Sequence, residues 1–338
     1  MTGGDRLVPS DSATYLEFAR LYRLARSLRP TSVDRWNGSL WASDSETSFG
    51  GFIPRTGAMR LSGSAVLPYL TGTAMPEALA GQSQALATVI HETTHASIAT
   101  DDPAEPNAVR SEHSRGLMEG VAELRAIEDF RLFTRQAGYF GLSLPQPQYE
   151  GAYTATDSLV NQVSGVRRDR VSIINDLTRG PAVAHFDQLA KAVVQNRLWE
   201  LVPHREDHQR AARAALIPTM THELWPRLQD ERTTTGHYVA EKVRQALNAK
   251  IDEIRRHYLR TPFQPFPATP LQTAVTTARP EQHRSQQHDE PSELRFLAGL
   301  APASQATWSR PVPGDGSRRP GPSAGPGPHG RPSRERGH

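Results

Sequence analysis

The sequence predicts an α+β fold in which helix dominates, and three observations predict it. Between Trp36 and Ser62 lie short segments rich in Gly, Ser, Trp and Phe, the texture of a small sheet. From Gln82 to Leu259 apolar residues recur at helical spacing. After Arg260 the composition turns to Pro, Gly, Ser, Gln and Arg, which marks a tail. The expected organisation is one domain over residues 1–260, with a β-region at about 36–62, two chemistry-bearing helices within about 82–136 and a helical part at about 150–260. Residues 261–338 form the expected tail.

The elements follow in order. Asp11 or Ser12 can cap a helix that Pro30 ends, with Leu21, Leu24, Ala25 and Leu28 as its buried stripe. Arg20, Arg23, Arg26 and Arg29 lie off that stripe and read as a solvated face. Ser39-Leu40-Trp41-Ala42 and Gly57-Ala58-Met59-Arg60-Leu61-Ser62 are the clearest of two to four short strands.

The next helix carries Leu86, Val89 and Ile90 and runs toward Asp101-Asp102-Pro103, where the proline stops it. Another, from about Ser114 to Gln136, puts Leu117, Val121, Leu124 and Ile127 on one face and meets Gly138. Further helices are expected at roughly 153–164, 168–178, 184–201 and 206–229, the last broken by Pro218. The final one, Gly236 to Leu259, has Val239, Val243, Leu247, Ile251, Ile254 and Tyr258 in register. Beyond Arg260 the scarcity of large apolar residues leaves ordering entropy without compensation, so the tail is expected to be disordered. Leu294 to Leu300 is the one short helix expected there.

Composition narrows the function. Lys and Arg number 39 against 36 Asp and Glu, and a net charge of +3 gives no strong pull toward nucleic acid or an anionic membrane. The Arg-rich tail lacks the interleaved aromatics that stack on bases, so no nucleic-acid partner is expected. No stretch approaches roughly 18 apolar residues, and the N-terminus lacks the apolar run of a secretory signal; the expectation is a cytoplasmic protein with no membrane partner. There are 13 histidines and no cysteine, so any metal must rest on His and carboxylate ligands. Neither a Gly-x-Ser-x-Gly elbow nor a phosphate-cradling Gly-rich loop appears.

The chemistry gathers in two short runs. In His91-Glu92-Thr93-Thr94-His95 the histidines are four apart on a helix, so they project from one face and can share a metal ion. Glu92 then stands beside the metal, placed to accept a proton from a water molecule. A catalytic zinc site needs a third protein ligand, and in Glu119-Gly120-Val121-Ala122-Glu123 the choice falls on Glu119, with Glu123 orienting an imidazole N–H. The small residues Gly120, Ala122 and Ala126 are expected to let this helix approach the His91–His95 helix closely.

These paired motifs resemble those of the gluzincin zinc metallopeptidases, thermolysin-like in the broad sense. The resemblance covers roughly residues 55–165 and is strong only at the two motifs. It implies His91, His95 and Glu119 as ligands to Zn2+, Glu92 as general base, Glu123 as the supporting acid, and a peptide or protein substrate. It further implies that Gly57–Ser62 is the edge strand along which an extended peptide aligns. Similar families stabilise the oxyanion with a downstream Tyr or His; Tyr149, Tyr153 and His237 are the candidates, and Tyr153 is preferred because it opens the helix after Glu119.

Rival ligands are weaker. Asp101 stands where a metzincin-like pattern puts its last ligand, but that pattern needs glycine where Ile98 stands. His113 precedes the second helix. His204 to His208 has Asp where an inverted motif needs Glu, and in His222-Glu223-Leu224-Trp225-Pro226 proline breaks the helix, so both read as solvated helix ends. The alternative to a zinc hydrolase is a zincin-like binding or regulatory module without turnover; an intact Glu92 favours the enzyme, since a structural zinc site needs no base.

Overall fold

A computed structural model describes residues 4–44 and 48–267, and the helix-dominant α+β architecture is present with its small sheet at the N-terminal end. Helix α1 (Ala13–Leu28) begins where the Ser12 hydroxyl accepts the Tyr15 N–H at 3.3 Å, satisfying one of the free amides of a helix start. It buries Phe18, Leu21, Tyr22 and Ala25. Its arginine face differs from the expectation. Arg23 is exposed, but Arg20 pairs with Glu17, Arg26 with Asp34, and Arg29 reaches across to Asp129 at 2.6 Å.

The sheet has four strands: β1 (Arg6–Leu7), β2 (Leu40–Ser43), β3 (Gly50–Ile53) and β4 (Ala58–Ser62). Their order is β1-β2-β4-β3. β4 pairs in parallel with β2, Leu40 opposite Met59, and antiparallel with β3, Phe52 opposite Met59. That corrects the implied role of Gly57–Ser62. β4 has neighbours on both sides, because the chain returns from β3 as a hairpin and then meets β2; the edge strands are β1 and β3.

Helix α2 (Leu79–Ala96) ends five residues before Asp101, and the chain beyond it is held by Ala182, whose N–H donates to the Ala99 carbonyl at 2.8 Å. Helix α3 (Glu112–Ala137) stops at Gly138, whose φ of 86° is the left-handed conformation that glycine tolerates without penalty. Then come α4 (Glu150–Val163), α5 (Arg170–Arg179), α6 (His185–Arg197), α7 (Glu206–Met220) and α8 (Thr233–Arg260). Pro218 lies in the last turn of α7, which ends at Met220. All six apolar residues expected in register on α8 are buried.

Two hydrophobic clusters form the core, and α3 belongs to both. One gathers α1, the sheet and α2 around Ala126, Phe130 and Phe133 of the C-terminal half of α3. The other gathers α4 to α8 around Leu117, Val121 and Leu124 of its N-terminal half. Dispersion and apolar burial on both sides therefore fix α3 against α2, the seam where the two motifs meet.

The folded part extends past Arg260. Phe266 is buried, packs on the second cluster, and donates its N–H to the Tyr258 hydroxyl at 3.2 Å. The short helix expected at Leu294–Leu300 and the tail from residue 268 onward lie outside the described residues. Among the described residues no helix is long and apolar enough to cross a membrane.

Candidate metal centre

His91 and His95 leave α2 on the same face, one turn apart, and their Nε2 atoms lie 2.9 Å from each other. Across the seam α3 presents Glu119, whose Oε2 is 3.2 Å from His95 Nε2 and 3.4 Å from His91 Nε2. Glu123, one turn further, places Oε1 3.0 Å from His91 Nδ1, at ion-pair distance but without hydrogen-bond alignment. Both carboxylates are buried. They are therefore not part of a solvated helix face.

The small residues of α3 serve two different neighbours. A Cβ on Gly120 would meet Thr156 Oγ1 at 2.0 Å and the Ala152 carbonyl at 2.6 Å, so Gly120 admits α4 and not α2 as expected. Ala126 does lie with α2, in the cluster that holds Leu86, Val89 and Ile90. The reason is the position of α3 between two cores, which gives its small residues two directions to face.

His91, His95 and Glu119 form the one group of this kind among the described residues that can hold a metal ion. The geometry fits such an ion. Ligands at about 2.1 Å on the corners of a tetrahedron stand about 3.4 Å apart, and the three donor atoms are 2.9, 3.2 and 3.4 Å apart. The charges fit as well. Glu92, Glu119 and Glu123 are buried around two imidazoles, an acidic excess in a low-dielectric site that a divalent cation balances.

The ionisation of these groups in the metal-free chain follows from the same crowding. Burial pushes the His91 imidazole down, but Glu119 and Glu123 outweigh it and hold its pKa well above the usual value. Burial pushes Glu119 up, and His95 and His91 reverse this, so it stays ionised far below the usual carboxylate range. Glu92 goes the other way: burial raises its pKa, and His91 and His95 offset only part of the rise. A raised pKa makes the Glu92 carboxylate a stronger base than an ordinary exposed one. Its Oε2 accepts the N–H of Phe52, on the edge strand β3, at 2.7 Å.

No known protein family, characterised protein or solved structure matches the chain. The functional reading therefore rests on the site itself.

Of the candidate oxyanion donors the site contains Tyr149. Its ring centroid is 5.5 Å from that of His91, and burial together with Glu119, Glu92 and Glu123 raises its hydroxyl pKa well above the usual value. Tyr153, the preferred candidate, is placed otherwise. Its hydroxyl is raised first by burial and then by Asp157, on its own helix, and no ring contact joins it to His91. His237 is exposed on α8.

The rival ligands have other partners. Asp101 pairs with Arg110 at 3.0 Å, and His113 Nδ1 lies 3.1 Å from the Ser111 hydroxyl. His204 packs on Trp199, while His208 is buried against Tyr258 and so is not a solvated helix end. His222 Nδ1 accepts the Leu224 N–H at 3.2 Å. Sequence reasoning did not find Gln148 or the Phe52 amide. A backbone N–H leaves no signature in a sequence, and Gln148 sits in an irregular segment whose path depends on tertiary packing.

Proposed function

We propose that this chain is a zinc-dependent hydrolase of the gluzincin kind, acting on peptide bonds. The observation that carries the reading is the convergence of His91 Nε2, His95 Nε2 and Glu119 Oε2 within 3.4 Å, with Glu92 on the same helix as the histidines and bonded to Phe52 of the edge strand β3. Those three atoms would hold Zn2+. Bound there, the ion supplies Lewis acidity, which polarises a carbonyl and makes water a stronger acid.

The chain's own residues supply the rest. Glu92 accepts the proton from the attacking water and returns it to the leaving amine, a task suited to a carboxylate whose pKa is raised by burial. Glu123 faces Nδ1 of His91 and favours the tautomer that carries its proton there, leaving Nε2 free to ligate. Tyr149 keeps its hydroxyl proton and can donate it to the oxygen on which negative charge develops. β3 is an outer strand of the sheet beside Glu92; its Phe52 N–H is held by Glu92, so an extended peptide aligning there would displace that bond or pair with the neighbouring backbone groups.

Two measurements test this. Zinc analysis should find one ion per chain in the wild type and none in His95→Ala, and a peptide library should be cleaved by the wild type alone. A wild-type chain that carries no zinc overturns the proposal. So does one whose cleavage persists in His95→Ala.

A further inference from the structure

Thr88 and His91 lie one turn apart on α2, and a chain of polar contacts leaves the helix at one and returns to it at the other. His91 Nδ1 is 3.0 Å from Glu123 Oε1. Glu123 Oε2 accepts the backbone N–H of Gln148 at 3.2 Å, and the Gln148 amide Nε2 donates to Thr88 Oγ1 at 2.6 Å. The Thr88 hydroxyl spends its own proton on the Gln84 carbonyl at 3.0 Å. Its oxygen is then an acceptor, which fixes the amide group of Gln148 with nitrogen toward Thr88.

Gln148 is the one member of this circuit that belongs to neither α2 nor α3. It stands near the end of the segment that joins α3 to α4. From Phe140 to Pro147 that segment makes no hydrogen bond to the rest of the described chain. At its near end the Tyr139 hydroxyl bonds Glu17 at 2.8 Å, and at its far end stands Gln148, with Tyr149 next in sequence. At that far end Gln148 holds the segment by its backbone N–H on Glu123 and its side-chain amide on Thr88, and the amide is the side-chain bond that ties the segment to α2.

We infer that Gln148 is a positioning residue: its hydrogen bond to Thr88 fastens the 140–149 segment across α2 and α3, and so holds Glu123 against His91 Nδ1 and Tyr149 against the His91 ring. The purpose given to this latch rests on the zinc reading; its geometry does not. Removing the amide leaves the segment without its far side-chain anchor, which frees Glu123 and weakens the orientation of His91 as a ligand. Groups that orient a ligand in this way typically alter metal affinity about 10- to 100-fold.

The test uses Gln148→Ala, Thr88→Val and the double variant in the full chain. Thr88→Val removes the same hydrogen bond and keeps the side-chain shape, and it carries the test if Gln148→Ala does not fold. Zinc affinity is measured by chelator competition, hydrogen exchange is followed without metal at the amide of residue 148, the one bonded to Glu123, and the metal-free thermal midpoint serves as control. Each single variant should bind zinc about 10-fold more weakly, exchange faster at the residue-148 amide, and melt close to wild type. The double variant should be no worse than the singles, because both remove one bond. Wild-type exchange in the singles, or effects that multiply in the double, overturns the latch. A chain that binds zinc and shows this coupling but cleaves no peptide keeps the latch and sinks the hydrolase reading. If the wild type binds no zinc, the zinc reading fails alone and the exchange arm decides the latch.

Discussion

The backbone N–H of Phe52 meets the carboxylate of Glu92 at 2.7 Å, so the edge strand of the sheet and the histidine helix are joined through the residue proposed as the base. One carboxylate oxygen is thereby fixed by the strand, and the other is left to act. The arrangement also sets the side-chain direction without help from the metal. Glu92 can then be changed without dismantling the ligand set.

Glu92→Gln is the substitution that separates binding from chemistry. The glutamine oxygen can still accept the Phe52 N–H, and His91, His95 and Glu119 are untouched. Zinc content should remain at the wild-type level while peptide cleavage falls on the order of 10²–10⁴-fold, the usual loss when a general base is removed. Parallel zinc analysis and peptide assay decide it. If the variant sheds its zinc, Glu92 belongs to the ligand set and its assignment as base is wrong.

A buried charge network behind the site should dominate stability. Arg125 is 1% exposed; its guanidinium bonds Thr94 on α2 at 3.2 Å and the Ala25 carbonyl on α1 at 2.6 Å, and it faces Asp129 at 3.4 Å. Asp129 also holds Arg29. Burial pushes the Arg125 pKa down to about 10, a sign of how much its charge needs the carboxylate. Asp129→Asn leaves two arginines without their counter-charge and should cost about 3–5 kcal/mol, read as a lowered urea midpoint. A change below about 1 kcal/mol would mean that water screens the pair.

What was legible in the sequence was local. His91 could be paired with His95, and Glu119 with Glu123, because residues four apart on a helix share a face whatever surrounds them; that the two pairs meet rested on the resemblance of the motifs. The stripe from Val239 to Tyr258 followed for the same reason. Direction between elements was not legible. Gly120 turned out to face α4, β4 turned out to be interior, and Arg29 found its partner 100 positions away, since each depends on which elements pack together. Tyr149 and Tyr153 illustrate the limit. They are four apart in sequence, but Tyr149 precedes the first helical residue of α4, and only the path of the preceding segment puts its ring on His91.

The last described residues give a further prediction. Phe266 is 5% exposed and touches His257 and Tyr258, so a chain ending at Pro267 should keep the full stability of the domain. One ending at Arg260 loses this aromatic cover over α8. It should be less stable by about 2 kcal/mol, the transfer free energy of one large apolar side chain, with a lower thermal midpoint and zinc still bound. Equal midpoints would mean that Phe266 adds nothing to the core.

His185 makes stability depend on pH in a direction that can be worked out beforehand. It begins α6 fully buried, and neither ring nitrogen has a hydrogen-bond partner. Burial disfavours the charged form; the nearby Leu177 carbonyl opposes this in part and His95 adds a smaller push, and the pKa falls from 6.5 to about 4. In the unfolded chain it titrates at the ordinary value. Above pH 6.5 the imidazole is neutral in both states and favours neither. Between 6.5 and about 4 the unfolded chain takes up a proton that the folded one refuses, so stability falls as pH falls. From pH 7 to pH 5 the loss from this residue should be about 2 kcal/mol. His185→Leu removes it, because leucine has no proton to gain and leaves no unpaired nitrogen in the core. The variant can start less stable at pH 7, where a branched side chain replaces a flat ring and packs less well, and still lose less on acidification. Urea unfolding of both proteins at pH 7 and pH 5 gives the four numbers required, and the difference of differences isolates the histidine from every other titrating group. If the two proteins lose stability in parallel, the imidazole of His185 is protonated in the folded chain and its buried site is open to water.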